Sequence, residues 1–218
     1  SIGEGAFCNC SSLTSVTFPA GRTSIGSCAF YRCSALASVN LPAGLTSIGD
    51  SAFHDCSALS SVNLPAGLTS IGSFAFYDCS SLAAIDLPAG LTFIDGYTFD
   101  GCSSLTSVAF PTSLTSIGIS AFKDCSSLAR VTFPAGLTSI GEAAFYGCLP
   151  LARATFPAGL TSIDGYAFCD CSSLTRVTVP DTATIGDEAF EIGDEALESE
   201  TTVLRLSPAS MRDLQRWY

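Results

Sequence analysis

Ile2, Ile25, Ile48, Ile71, Ile94, Ile117, Ile140 and Ile163 stand 23 residues apart, and this spacing constrains the fold more than any other feature of the chain. Phe7, Phe30, Phe53, Phe76, Phe99, Phe122, Phe145 and Phe168 keep the same interval, as do Leu13, Leu36, Leu59, Leu82, Leu105, Leu128, Leu151 and Leu174. One unit of that length cannot bury a core of its own, so each copy must be covered by its neighbours. The chain is therefore expected to be a solenoid in which these columns point inward and function falls to the outward columns. Eight registers run without an insertion. A ninth is degenerate: Pro180 to Ile185 is one residue shorter than Pro157 to Ile163, Asp194 to Leu197 echoes Asp187 to Phe190, and no cysteine follows in register. Solenoids use such an atypical last turn as a cap.

Within one unit, Leu82 to Leu87 alternates about Ile85 and Leu87 as a short strand and is ended by Pro88, which cannot donate to a ladder. Stacked copies give a parallel sheet. After the Pro-Ala-Gly corner, Leu91 to Ile94 is expected to form a second extended piece and the A-F-x-x-C run one helical turn. About nine coils at ordinary strand spacing make a rod roughly 45 Å long. Val203 to Leu206 reads as a last strand, and Ser207-Pro208 as a helix opening with Ser as N-cap and Pro in the first helical position. Met211, Leu214 and Tyr218 share one face of that helix, with Trp217 beside them. The segment either closes the open end of the core or docks to a partner. The expected division is a solenoid over 1–190 and an acidic C-terminal cap over 191–218.

The copy from Leu68 to Gly90, LTSIGSFAFYDCSSLAAIDLPAG, resembles the BspA-like class of leucine-rich repeats, whose run is I-G-x-x-A-F-x-x-C-x-x-L-x-x-I-x-L-P. The resemblance spans residues 1 to about 190. It implies a right-handed leucine-rich-repeat superhelix of short parallel strands and short helical turns. It also implies adhesion, because many proteins of this class lie on the surfaces of bacteria and protists and bind other proteins. An extracellular or cell-surface setting follows from the resemblance alone, and an intracellular assembly stays open.

Composition agrees with a folded array. Apolar residues make up 47% and charged residues only 13%, which excludes disorder for the repeats. There is no apolar run long enough for a membrane span and no signal-peptide pattern. The chain opens in mid-repeat at Ser1-Ile2-Gly3, so further repeats, a cap or a partner are expected before it.

Eight of the eleven cysteines (Cys10, Cys33, Cys56, Cys79, Cys102, Cys125, Cys148 and Cys171) occupy one repeat position, which reads as a column of buried, unpaired thiols bonding weakly to backbone. No C-x-x-C pair exists and there is one histidine, so no metal or cofactor is expected. Cys8, Cys28 and Cys169 are off-register. Cys8 and Cys28 lie on successive turns, which leaves a bridge between them open.

Catalysis finds little support. His54 stands in a column with Tyr31, Tyr77, Asp100, Lys123 and Tyr146, and reads as a solvated surface residue without a second histidine for a triad. Asp55, Asp78, Asp124 and Asp170 recur one position on. Acid-base or calcium chemistry is weighed there against a repeated solvated face, which explains them better. A non-enzyme is expected.

The sheet face carries the most informative outward chemistry. One column reads Ser15, Ser38, Ser61, Ala84, Ser107, Arg130, Arg153, Arg176, and the other Thr17, Asn40, Asn63, Asp86, Ala109, Thr132, Thr155, Thr178. Three arginines stacked one strand apart repel one another. Either they form an anion site, with Arg130, Arg153 and Arg176 as bidentate donors and Thr132, Thr155 and Thr178 as hydroxyl donors, or duplication copied a harmless residue. A net charge of −11, with acids dense from Asp187 to Glu200, argues against nucleic acid. The partner expected is a protein, through an acidic segment, or an anionic glycan. Alternatives are a structural subunit docking through its ends and, weakly, ice or crystal binding by the Thr23, Thr46, Thr69, Thr92, Thr115, Thr138 and Thr161 column, whose hydroxyls corner hydrogen bonding explains equally well.

Overall fold

The computed structural model describes residues 1–19, 21–192 and 201–215, the last two by backbone alone. The chain winds as a parallel-strand solenoid in which each residue lies beside its copy one turn away. On the sheet face, Ser38–Asn40, Ser61–Asn63, Ser107–Ala109 and Arg130–Thr132 place one apolar residue inward between two exposed neighbours, the period-two alternation of a half-buried strand. After the proline corner a second ladder runs through Ser24–Ile25, Ser47–Ile48 and Ser70–Ile71, then from Phe93–Ile94 through Ser116–Ile117, Ser139–Ile140 and Ser162–Ile163 to Thr184–Ile185. Registers join equivalent positions, Ile140 to Ile117 and Ile163 to Ile140.

The A-F-x-x-C run is not the expected helical turn. Ala75, Tyr77 and Cys79 amides donate to the Gly72, Phe74 and Phe76 carbonyls of their own coil, while those of Phe74, Phe76 and Asp78 donate to Gly96, Thr98 and Asp100 of the next. Two residues per coil are left-handed, Phe74 at φ 59° and Asp78 at φ 51°, so a right-handed helix cannot propagate through the segment. The result is a third ladder, built of linked tight turns.

Inside, nine phenylalanines from Phe7 to Phe190 form one stack with ring centroids 5.1 to 5.5 Å apart. Phe110, Phe133 and Phe156 add a second stack that meets the first edge-on. These arrangements suit the ring quadrupole. The thiol column lies beside them. Cys79 Sγ donates to the Phe53 carbonyl at 3.2 Å, Cys102 to Phe76 at 3.2 Å and Cys125 to Phe99 at 3.2 Å, each on the preceding coil. Burial pushes the Cys56 and Cys171 thiols up to about 12. Cys10, of the same column, is exposed, as is Cys8, and all eleven cysteines are free thiols, Cys8 and Cys28 included. Titration of the native protein with a thiol reagent is expected to modify Cys8 and Cys10 quickly and Cys28 more slowly, and to leave Cys33 through Cys171 silent until denaturant is added. Fast native labelling of the ladder thiols would contradict this packing.

At the C-terminal end Thr202–Leu206 pairs in parallel with Arg176–Pro180 over five residues. The helix Pro208–Gln215 follows, with the Ser210 amide donating to Ser207 Oγ at 3.3 Å, and it packs against Arg176–Pro180. Met211 is buried there. The Leu214 side chain, Trp217, Tyr218 and the acids from Asp194 to Glu200 lie outside the described residues.

The ladders are interrupted where the repeat chemistry changes. The sheet face opens between Ser61–Asn63 and Ile85–Asp86, and again after Arg130–Thr132, where residues 152–154 form no strand and Thr155 alone bridges to Thr178. Pro150 stands where Ala58 and Ser173 donate to the preceding coil, but Ser104 and Ser127 at the same position make no such bond and their coils stay paired, so the missing proline amide alone does not open the sheet. The second ladder breaks between Ser70–Ile71 and Phe93–Ile94, at the coil where Asp95 replaces a repeat glycine.

Candidate interaction site on the sheet face

Strand alternation positions the arginine column. Val131 and Val177 turn inward, so Arg130 and Thr132, and likewise Arg176, turn out to solvent. Arg130 registers with Ser107, and Arg176 with Thr202. Arg153 is also exposed, on the coil where the ladder has opened. Between the two coils lies a cleft of about 640 Å³ lined by Ala129, Arg130, Val131, Thr132, Ala152, Arg153 and Thr155. Thus four of the six residues singled out on this face, Arg130, Arg153, Thr132 and Thr155, border one concavity. Arg176 and Thr178 stand one coil further on, Thr178 half-buried against Thr155. Among the described residues none of the three arginines forms an ion pair. The cleft was not legible in the repeat pattern.

The turn face departs from the reading of a plain solvated surface. His54 is sandwiched between Tyr31 and Tyr77, with centroids 4.7 and 4.6 Å away. Its Nδ1 lies 3.4 Å from Asp55 Oδ2 and has no hydrogen-bond partner. Burial lowers its pKa, against the opposing pull of Asp55 and Asp78. Asp55, Asp78, Asp124 and Asp170 all have positive φ, and Gly101 and Gly147 take the same place on their coils. Aspartate tolerates the left-handed region better than most residues, which accounts for that column without acid-base or metal chemistry. Asp100 is a residue the pattern did not single out. It is 6% exposed, and burial pushes its carboxyl up to about 7 while Lys123 opposes the shift and Asp124 and Asp78 reinforce it.

The threonine column of the second ladder is used internally. Thr46, Thr69, Thr115, Thr138 and Thr161 each donate a hydroxyl to the carbonyl of the threonine or its equivalent one coil earlier, at 2.7 to 3.2 Å. Corner satisfaction is thus what these hydroxyls do.

Residues 1–115 and 92–199 match the model of the BspA type leucine-rich repeat region. The chain belongs to that family. Solved leucine-rich repeat structures resemble it over most of its length. A leucine-rich repeat protein from Bacteroides ovatus aligns with a TM-score of 0.68 at 29% identity, covering 93% of this chain and 63% of its own. A leucine-rich repeat protein from T. pallidum gives 0.70 at 35% identity over 74% of this chain and 78% of its own. A leucine-rich cell surface protein from Faecalibacterium prausnitzii gives 0.55 at 28% identity, covering 97% of this chain and 70% of its own. This BspA-type chain therefore spans under two thirds of the length of the Bacteroides protein. No curated protein matches it. The repeat family suggests a protein-interaction or surface-protein role. No helix among the described residues is long and apolar enough to cross a membrane.

Proposed function

We propose that the chain is a non-enzymatic binding module that engages an anionic partner, an acidic protein segment or an acidic glycan, through the C-terminal half of its sheet face. The observation that carries the reading is the cleft between the Arg130 and Arg153 coils, which joins two guanidinium groups and two threonine hydroxyls around one concave surface. Guanidinium forks pair with carboxylate or sulfate through two parallel hydrogen bonds, and the threonines supply further donors. Arg176 extends the column by one coil, so an extended ligand lying across the strands meets a cation at each step of about 5 Å. Adhesion at a cell surface is the biological setting that the likeness to a cell surface protein supports.

Docking of the rod through its C-terminal end as a subunit of a larger assembly is less favoured, because Met211 is already buried against the solenoid. The test is a titration of the parent chain, and of a variant with Arg130, Arg153 and Arg176 all changed to Ser, with a poly-glutamate peptide and with a sulfated oligosaccharide. The parent is expected to bind at least one probe with a salt-dependent affinity, and the variant at least tenfold more weakly with unchanged melting. Equal binding by both proteins would remove the cleft from consideration.

A further inference from the structure

The turn-bearing face carries a second and differently charged surface. Its outward columns bring five rings together over four coils. Tyr31, His54 and Tyr77 stack in one column, and Phe74 and Tyr97 stack in the next at 4.5 Å and 4°. Phe74 joins the two columns at 5.8 Å from Tyr77 and 6.4 Å from His54. None of the five is fully buried. Asp55 and Asp78 border them in the adjoining column, and Asp100 follows Tyr77 in its own.

The chain itself shows what such a surface accepts. Arg32 lays its guanidinium over the Tyr31 ring at 5.1 Å while its Nε bonds Asp55 Oδ2 at 3.1 Å. Lys123 places its ammonium over the Tyr146 ring at 5.6 Å. It also lowers the pKa of Asp100. At one end of the strip a cation is thus held between a ring face and a carboxylate, and at the other a cation lies over a ring face and within the field of a carboxylate. The centre repeats the ring and the carboxylate, with Tyr77, Phe74 and Tyr97 beside Asp78, and among the described residues no cation of the chain stands over those three rings. Asp78 rests its carboxylate against Gly101, whose Cα–H leaves room that a Cβ would fill at 2.0 Å from Oδ1. Its pKa is raised by burial and by Asp55, with only His54 opposing.

From this juxtaposition we infer that the centre of the turn face binds a basic peptide segment, seating an arginine or lysine side chain on the face of Tyr77 turned away from His54, beside Tyr97, with Asp78 as its counter-ion. The free face of Tyr77 is negative and the bordering carboxylates outnumber the local cations, so the charge complementarity selects a cationic occupant. This surface is separate from the arginine cleft and does not depend on it.

The test uses a fluorescent tetra-arginine peptide, with tetra-glutamate as control, titrated by anisotropy into the full chain. Because the protein is acidic overall, charge alone attracts such a peptide, so the decisive variants are Tyr97→Leu and Tyr77→Leu, which alter no charge. Each is expected to weaken binding about threefold to fivefold. Tyr77→Phe keeps the ring and is expected to bind like the parent, which separates ring contact from misfolding. Asp78→Asn retains a residue suited to its left-handed backbone and is expected to weaken binding by several fold, whereas the exposed Glu142→Gln control changes little. Equal effects of Asp78→Asn and Glu142→Gln, together with unchanged binding by the two leucine variants, would mean diffuse attraction and overturn the inference. Concentration-dependent self-association abolished by changing Arg130, Arg153 and Arg176 to Ser, with no binding of the peptide, would overturn it in favour of a second copy of the chain.

Discussion

Phe99→Ala is expected to lower the unfolding free energy by about 3 to 5 kcal/mol, read as a shift of the denaturation midpoint in circular dichroism. Phe99 has no solvent exposure and lies between Phe76 at 5.5 Å and Phe122 at 5.2 Å. Removing its ring forfeits the buried area and leaves a void that the coil cannot close, because the adjacent coils are fastened to it by hydrogen bonds. The Phe99 amide donates to Ala121 of the next coil and its carbonyl accepts the Cys125 thiol. A solenoid has only nearest-neighbour contacts to share the loss, so the damage weakens both interfaces of that coil. Phe93→Ala is the matched control. It removes the same ring from a side chain that is 44% exposed and is expected to change stability by less than about 0.5 kcal/mol. Equal effects of the two would mean that the phenylalanine stack does not organise the core.

Gly141→Ala is expected to cost about 1 to 3 kcal/mol, although it adds a single methyl group. A Cβ at that position would lie 2.8 Å from Gly118 C, 2.8 Å from Ile119 N and 3.1 Å from Ile117 O. All three are backbone atoms of the preceding coil, held by the ladder, and none can rotate aside. Gly49 and Gly118 are crowded in the same way, with backbone atoms of the preceding coil within 3.0 Å. Gly159→Ala supplies the contrast, since the nearest atom to its added Cβ is the Ala135 carbonyl oxygen at 3.8 Å, and it is expected to be nearly neutral. Thermal melts of the two variants check the pair. Similar melting temperatures would show that coil spacing relaxes more readily than the ladder implies. The chain contains a natural counterpart. At Asp95, which takes the glycine position, the second ladder is interrupted, whereas at Asp164 pairing persists through the Asp164 amide bonded to Ile140 at 2.9 Å.

The arginine cleft and the aromatic strip divide the outer surface by charge. One half of the sheet face offers guanidinium and hydroxyl donors, while the turn face offers rings and carboxylates. On the two readings proposed above, the rod engages partners of opposite charge on two different faces. The two tests proposed are independent, because the arginine substitutions leave the turn face intact and the tyrosine substitutions leave the cleft intact.

Much of the architecture was legible in the amino-acid order, because a 23-residue period repeated in register admits only one way to hide its apolar columns. The inward isoleucine, phenylalanine and leucine columns, the unpaired thiols beside them and the outward arginines all follow from that stacking. The conformation of the A-F-x-x-C segment did not. Its composition suits a helical turn, and only the hydrogen bonds from Phe74, Phe76 and Asp78 to the next coil hold the left-handed residues that prevent one. The same holds for the aspartate column, whose backbone role is invisible until φ is known, and for His54, whose flanking rings lie 23 residues away on either side. The cleft, too, belongs to tertiary structure. Whether two coils part there depends on every bond between them. Columns that pack against their own copies are determined by sequence, because each copy meets an identical neighbour; what happens where neighbouring copies differ is decided by the contact between coils.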